Sequence, residues 1–219
     1  MPIQMTKAKT ELHEYIQYWL GEVKLGKTKT AAQFPKPLFL FTESGSSDLS
    51  LPHWTPKGWD VQKQGGYIIT RASDYDNIIA EVLDIPLESR PQTLIIDTID
   101  GMLAVGAEAI RNDAKTDTLS DGALSYGRGN ERLANWLMAR IADFQKLNMG
   151  IIFISHMVEK EIKAANKEPI TVQRDTLPDK YKPMVHGVVD WIWYFKKEGK
   201  QRWIYTQGDI TIESGSRIT

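Results

Sequence analysis

The sequence predicts an α/β fold in which a mostly parallel central sheet is flanked by helices and closed by a C-terminal antiparallel strand pair. Three observations carry this expectation. Apolar strand-like runs alternate with helical segments along the chain, as in a sheet wound from strand–helix units. The runs are continuous rather than alternating, as expected of strands covered on both faces. A G-x-x-x-x-G-K-[ST] pattern, Gly21 to Thr28, falls between the first apolar run and the first short helical segment.

The elements follow in order. Tyr15 to Leu20 is rich in aromatic and branched residues and reads as a buried strand. Thr28 to Gln33 is predicted as a short helix that Pro35 stops. Pro37 to Thr42 reads as a second strand, running into the Gly/Ser-rich loop Glu43 to Ser47 and a Pro/Trp-rich stretch to Trp59. Tyr67 to Thr70 is a short third strand. Asp74 to Leu83 is a helix with Ser73 or Asp74 as its N-cap. Thr93 to Asp97 is an apolar strand ending in a carboxylate, with Asp100 read as a cap of the segment that follows. Residues 104–128 are polar and weakly patterned. Glu131 to Leu147 is an amphipathic helix with Leu133, Trp136, Leu137, Ile141 and Phe144 on one stripe. Gly150 to His156 is another buried strand, and 157–183 a second long polar segment. Val188 to Phe195 and Arg202 to Thr206 form the closing pair, with Ile210 to Ile212 a candidate further strand. No repeat or linker interrupts the chain, so residues 1–219 are read as one domain, with 1–14 a short N-terminal extension.

The 219 residues suffice for one substantial core, and 42% hydrophobic with 25% charged residues is ordinary globular composition. There is no cysteine, which excludes disulfides, thiol catalysis and cysteine-bound zinc, and suits a reducing cytoplasm. A net charge of -1 gives no global attraction to nucleic acid, so any such site must be a local basic patch. No apolar run approaches the roughly 20 residues that span a bilayer. The first 14 residues lack the apolar core of a signal peptide.

The glycine pattern has a direct chemical meaning. Backbone N–H groups of Gly21, Glu22, Val23, Lys24, Leu25 and Gly26 can wrap a polyphosphate, Lys27 brings a positive charge to the β- and γ-phosphates, and Thr28 offers a hydroxyl to Mg²⁺. Lys29 follows directly. The implied ligand is a nucleoside triphosphate, ATP, with Mg²⁺. Ligands of open α/β sheets bind at the carboxyl ends of strands. Three further polar groups stand at such ends. Glu43 is a candidate general base, or else a solvated loop carboxylate. Asp97 follows four apolar residues, the pattern of a Walker B metal carboxylate, or else is a turn residue. His156 is a candidate sensor of the γ-phosphate, or else a surface histidine.

This order of phosphate-binding loop, strand-end Glu, strand-end Asp, strand-end polar residue and closing strand pair resembles the RecA-like ATPase core. Gly21 to Thr28 with Ala31-Ala32-Gln33-Phe34-Pro35-Lys36-Pro37-Leu38-Phe39-Leu40, Ile95 to Asp100 and Gly215-Ser216-Arg217 look like phage-encoded RecA-like ATPases that accompany single-strand annealing and recombination. The resemblance implies that Glu43 activates the attacking water, Asp97 is the Walker B residue and His156 senses the γ-phosphate. It also implies a host-cytoplasmic protein that assembles into a ring or filament on single-stranded DNA. ATP would then sit between subunits, with a basic residue of one subunit completing the site of the next: Lys196, Lys197, Arg202 or Arg217. An annealing or single-strand-binding protein is a further implied partner. Two departures, Lys29 in place of a hydroxyl residue and the bulky Leu25, are expected to weaken affinity or turnover.

In the same resemblance, mobile loops after the Asp97 and His156 strands face the DNA. The second of these segments carries Lys160, Lys163, Lys167, Arg174, Lys180 and Lys182, able to neutralise phosphates. Glu159, Glu161, Glu168, Asp175 and Asp179 largely cancel that charge, as in an ordinary solvated loop. Tryptophans can stack on bases, but Trp136 and Trp191 are read as core. Two rival functions remain. One is a nucleotide-gated, non-enzymatic adaptor or loader, with Lys27 and Asp97 but no working Glu43. The other is a P-loop small-molecule kinase, against which the scattered arginines count.

Overall fold

The computed structural model describes residues 9–43, 66–162, 170–208 and 214–216, together with the backbone of 53–55 and 58–60. An eight-stranded sheet forms the centre. Its strands are β1 (Ile16–Gly21), β2 (Pro37–Phe41), β5 (Tyr67–Ile68), β6 (Thr93–Asp97), β7 (Gly150–Ile154), β10 (Trp191–Glu198), β11 (Gln201–Tyr205) and β12 (Gly215–Ser216). The spatial order is β11-β10-β1-β7-β6-β2-β5, with β12 on β10. Pairs among β10, β1, β7, β6, β2 and β5 are parallel; β11 and β12 are antiparallel to β10. Two small hairpins stand apart, β3 (His53–Thr55) with β4 (Gly58–Asp60), and β8 (Met157–Ile162) with β9 (Ile170–Asp175).

The two faces of the sheet carry different cores. Tyr18, Leu38, Leu40, Leu94, Ile96, Ile151 and Phe153 face three long helices: α2 (Ala72–Leu83), α3 (Ile99–Ala114) and α4 (Arg128–Gln145). Trp19, Phe39, Phe41, Ile95, Ile152, Ile154 and Phe195 face the other way, onto Leu25 and Ala31 at the loop and the short α1 (Lys27–Ala31). Strand periodicity of two puts consecutive apolar residues on opposite faces, so continuous runs are what a sheet buried on both sides requires. The expected stripe of α4 is buried at Leu133, Leu137, Ile141 and Phe144, with Trp136 half-buried beside it. Burying each such side chain contributes about 1.5–3 kcal/mol.

Five expectations need correction. Residues 104–114 belong to α3, which starts at Ile99 behind the N-cap Thr98, whose hydroxyl accepts from the Gly101 N–H at 3.2 Å. Small residues hid this helix. A Cβ on Gly106 would lie 2.4 Å from the Trp136 ring, so close packing against α4 demands a residue that contributes nothing to an apolar pattern. Asp100 is therefore not a cap. The N-cap of α2 is Arg71, and Asp74 stands at the third helical position, accepting from the Thr70 and Arg71 N–H groups. The polar segment 157–183 contains the β8–β9 hairpin and α5 (Lys182–His186), which delays the start of β10 to Trp191. Finally, α1 begins and ends earlier than expected. Ser44 to Ser47 and Ile210 to Ile212 lie outside the described residues; the pairing beyond β11 falls at β12 instead. Trp191 packs edge-on against Tyr15 and Trp193. Among the described residues, no helix is long and apolar enough to cross a membrane.

Candidate active site

Register brings the expected site residues together. Asp97, the last residue of β6, is level with Phe41 of β2 and Ile154 of β7. Glu43 and His156 each lie two residues beyond those partners, so all three leave the sheet at the same edge. Trp19 of β1 is also level with Ile154, which sets the loop after Gly21 beside them. The result is a cavity of about 460 Å³ lined by Val23 to Lys29, Glu43, Asp97, Ile154, His156 and Arg202.

Within the loop, Gly26 has φ 97°, a left-handed conformation that glycine adopts without strain. Leu25 is buried against the Trp19 and Phe195 cluster, so the bulk that looked out of place anchors the loop to the sheet. Gly21 and Glu22 do not line the cavity. Their carbonyls accept from the Lys27 ammonium at 2.7 and 2.9 Å. Burial lowers the Lys27 pKa to about 8, against the pull of Asp97, Asp100, Glu43 and Glu22. An entering polyphosphate offers this ammonium the anionic partner that two carbonyls do not.

Thr28 donates its hydroxyl to Asp97 at 2.7 Å. Asp97 is buried, which raises its pKa; the Thr28 hydrogen bond and Lys27 oppose the rise. Two hard oxygen groups in contact suit Mg²⁺, which keeps several waters and takes one or two protein oxygens beside substrate phosphates. Among the described residues, no group of three or more His, Asp or Glu side chains is placed to hold a metal ion. When bound, Mg²⁺ would supply charge neutralisation at those phosphates.

Glu43 is held on both oxygens. Thr98 donates its hydroxyl to Oε1 at 2.9 Å, and His156 Nε2 lies 3.3 Å from Oε2. The side chain is nevertheless exposed to the cavity mouth, where a water can reach it. Behind His156 sits a second knot that the sequence reading did not find. Asp100 accepts from the Ser155 hydroxyl at 2.9 Å, the Thr176 hydroxyl at 2.8 Å and the His156 N–H at 3.4 Å. Burial raises the Asp100 pKa, with the Thr176 and Ser155 hydrogen bonds opposing. Ser155 and Thr176 flank the two ends of the β8–β9 hairpin, so this carboxylate ties the hairpin's root to the site. Only the crowding of Thr98, Asp100 and Ser155 at strand ends hinted at it.

Of the expected DNA contacts, Lys163 and Lys167 lie outside the described residues. Lys160 and Arg174 are on the hairpin, where Lys160 pairs with Val172 and Val158 with Arg174. Strand alternation therefore puts Lys160 and Arg174 on one hairpin face, and Glu159, Glu161 and Asp175 on the other. Asp175 is buried at the hairpin's end, accepting from the Tyr18 hydroxyl at 2.7 Å and 2.5 Å from the Lys182 ammonium. Of the expected trans-acting cations, Arg217 lies outside the described residues and Lys196 pairs with Glu198 at 2.8 Å.

A family model described as an AAA domain matches residues 14–218. No curated protein matches the sequence. Among solved structures, the chain is similar to a KaiC-like protein from the hyperthermophilic archaeon Pyrococcus horikoshii OT3, at 13% identity over 93% of this chain and 82% of that one, with a TM-score of 0.45.

Proposed function

The chain belongs to the AAA domain family, and from that premise we propose that it is a RecA-like P-loop ATPase that hydrolyses Mg²⁺-bound ATP and couples hydrolysis to single-stranded DNA. The observation that carries the ATPase half is the convergence of Lys27, Thr28, Asp97, Glu43 and His156 on one cavity. Lys27 meets the phosphates, and Thr28 and Asp97 would hold the Mg²⁺ that would add charge neutralisation there. Glu43, oriented by Thr98 and His156, takes the proton of an attacking water. Phosphoryl transfer asks for little else beyond position and charge.

The DNA half is supported by the hairpin. It starts one residue after His156, and Asp100 binds both its roots. A change at the γ-phosphate felt by His156 is thus handed to β8–β9. Lys160 and Arg174 share a hairpin face with Val158 and Val172, apart from the acidic residues, and supply two cations for a phosphate backbone where simple charge counting saw cancellation. The setting we propose is phage recombination, annealing or replication in the host cytoplasm, with subunits assembled along the strand.

The experiment is an ATPase assay with and without single-stranded DNA at low salt. Hydrolysis stimulated by DNA, with stimulation lost in Lys160→Gln/Arg174→Gln while basal turnover survives, is the expected result. ATP binding without hydrolysis would instead identify a nucleotide-gated adaptor. Hydrolysis indifferent to DNA would end the recombination reading.

A further inference from the structure

Strand parity singles out one cation from the closing strand pair. In β10–β11, Phe195 is paired with Ile204 and Lys197 with Arg202. Phe195 belongs to the cluster that buries Leu25 of the phosphate-binding loop, so Lys197, Arg202 and Ile204 share the loop's face. Lys196 and Trp203 face the other way, where Lys196 is spent on Glu198 and lies over the Tyr205 ring. Of the residues on the loop's face, Arg202 reaches the cavity. A Cβ placed on Gly26 would lie 3.4 Å from its guanidinium, which therefore lies against the loop.

We propose that Arg202 acts in cis, placing its guanidinium on the phosphates of the nucleotide held by its own chain's loop. This rests on the ATPase reading above. A guanidinium is always charged and grips phosphate oxygens with two parallel N–H groups. Lys27, held by the Gly21 and Glu22 carbonyls until phosphates enter, brings one cation to a cavity that the Asp97 and Glu43 carboxylates also line, and Arg202 adds a second. Arg202 enters from the strand side of the loop and lies against the loop backbone at Gly26. A residue that in a shared-site assembly would serve a neighbour is here folded back on its own loop. The site would therefore carry its full set of phosphate-facing cations within one chain, and oligomerisation would regulate turnover without supplying this group.

The test uses the full chain in three forms: wild type, Arg202→Gln and, as a control on the paired position, Lys197→Gln. Affinity for a non-hydrolysable Mg²⁺–ATP analogue is measured by fluorescence. Arg202→Gln should weaken it about tenfold or more, the scale of a lost charged hydrogen bond, and Lys197→Gln should stay within about twofold. In a second arm, Lys27→Ala and Arg202→Gln chains are mixed in equal amounts and assayed for ATP hydrolysis. No recovery above the separate proteins is expected, because each chain lacks a group of its own site. Recovery on mixing would show that Arg202 serves a neighbour, and unchanged affinity in Arg202→Gln would remove it from the site; either overturns the inference. Wild-type protein that binds the analogue without hydrolysing ATP sinks the ATPase reading while the affinity arm still decides Arg202. Wild-type protein that binds no nucleotide ends both.

Discussion

Replacing Glu43 by Gln should separate binding from chemistry. The amide is isosteric with the carboxylate. Its carbonyl oxygen can accept from Thr98, as Oε1 does at 2.9 Å, and its NH₂ can face the His156 ring, which lies 3.3 Å from Oε2. The substitution therefore preserves both positioning contacts and deletes only the basicity. Loss of a general base costs about a hundredfold to ten-thousandfold in rate, or about 3–5 kcal/mol of barrier at about 1.4 kcal/mol per tenfold. Affinity for Mg²⁺–ATP should stay within about twofold, since the proposed role of Glu43 is toward the attacking water and not the phosphates. Thr98→Val provides the graded comparison. It removes one hydrogen bond to the carboxylate, about 1.5–3 kcal/mol, and should slow turnover by about tenfold or more. Single-turnover hydrolysis and calorimetric titration of each variant are the assays. Turnover of Glu43→Gln within about threefold of wild type would make Glu43 a bystander. A matching loss of affinity would mean that it shapes the phosphate site instead.

Three other outcomes follow from the same geometry. Asp100→Asn, which disturbs the acceptor shared by Ser155, Thr176 and the His156 N–H, should lower kcat about tenfold with little change in KM, and steady-state kinetics will show whether the knot matters. Asp175→Asn should cost about 1–3 kcal/mol in urea unfolding, since it removes the carboxylate that lies 2.5 Å from the buried Lys182 ammonium, with the exposed Asp179 still beside it at 3.1 Å. Burial alone would raise the Asp175 pKa, but hydrogen bonds from His186, Lys182 and Tyr18 outweigh it and hold the carboxyl below its ordinary value. A depressed folded pKa adds stability that is fully present above the unfolded value and lost as pH falls through the folded one. The advantage of wild type over Asp175→Asn should thus fade below about pH 4. Chelation of Mg²⁺ should abolish hydrolysis without shifting the far-ultraviolet circular dichroism, and Thr28→Ala should raise the Mg²⁺ concentration needed for half-maximal rate.

Much of this could be read from residue order, and the reasons are physical. Strands buried on both faces leave long apolar runs, so β1, β2, β6 and β7 stood out, and the carboxyl ends of such strands are where ligands collect. Asp97 was legible because it follows an apolar run directly, Glu43 and His156 because each stands one residue past such a run, and Lys27 because it closes the glycine pattern. What escaped lay in tertiary contacts. Gly106 is small because Trp136 packs on it, which erased the period of α3. The hairpin β8–β9 is short and carries charges on both faces, so it reads as a solvated loop, and those charges look balanced until register sorts them onto opposite sides. Asp100 joins Ser155 and Thr176 across 55 and 76 residues of sequence, a pairing that no local pattern encodes. Arg202 was visible as a cation on the closing strands, but only parity across β10–β11 turns it toward the loop.

The account stands most directly on Lys27. Calorimetric titration of ATP with Mg²⁺ into wild type and Lys27→Ala, with circular dichroism confirming that both are folded, tests it. Wild type should bind, and the variant should show no measurable binding, because the ammonium held by the Gly21 and Glu22 carbonyls is the loop's buried cation. Wild-type affinity in the folded variant would contradict the phosphate-binding loop itself, and with it the site built around it.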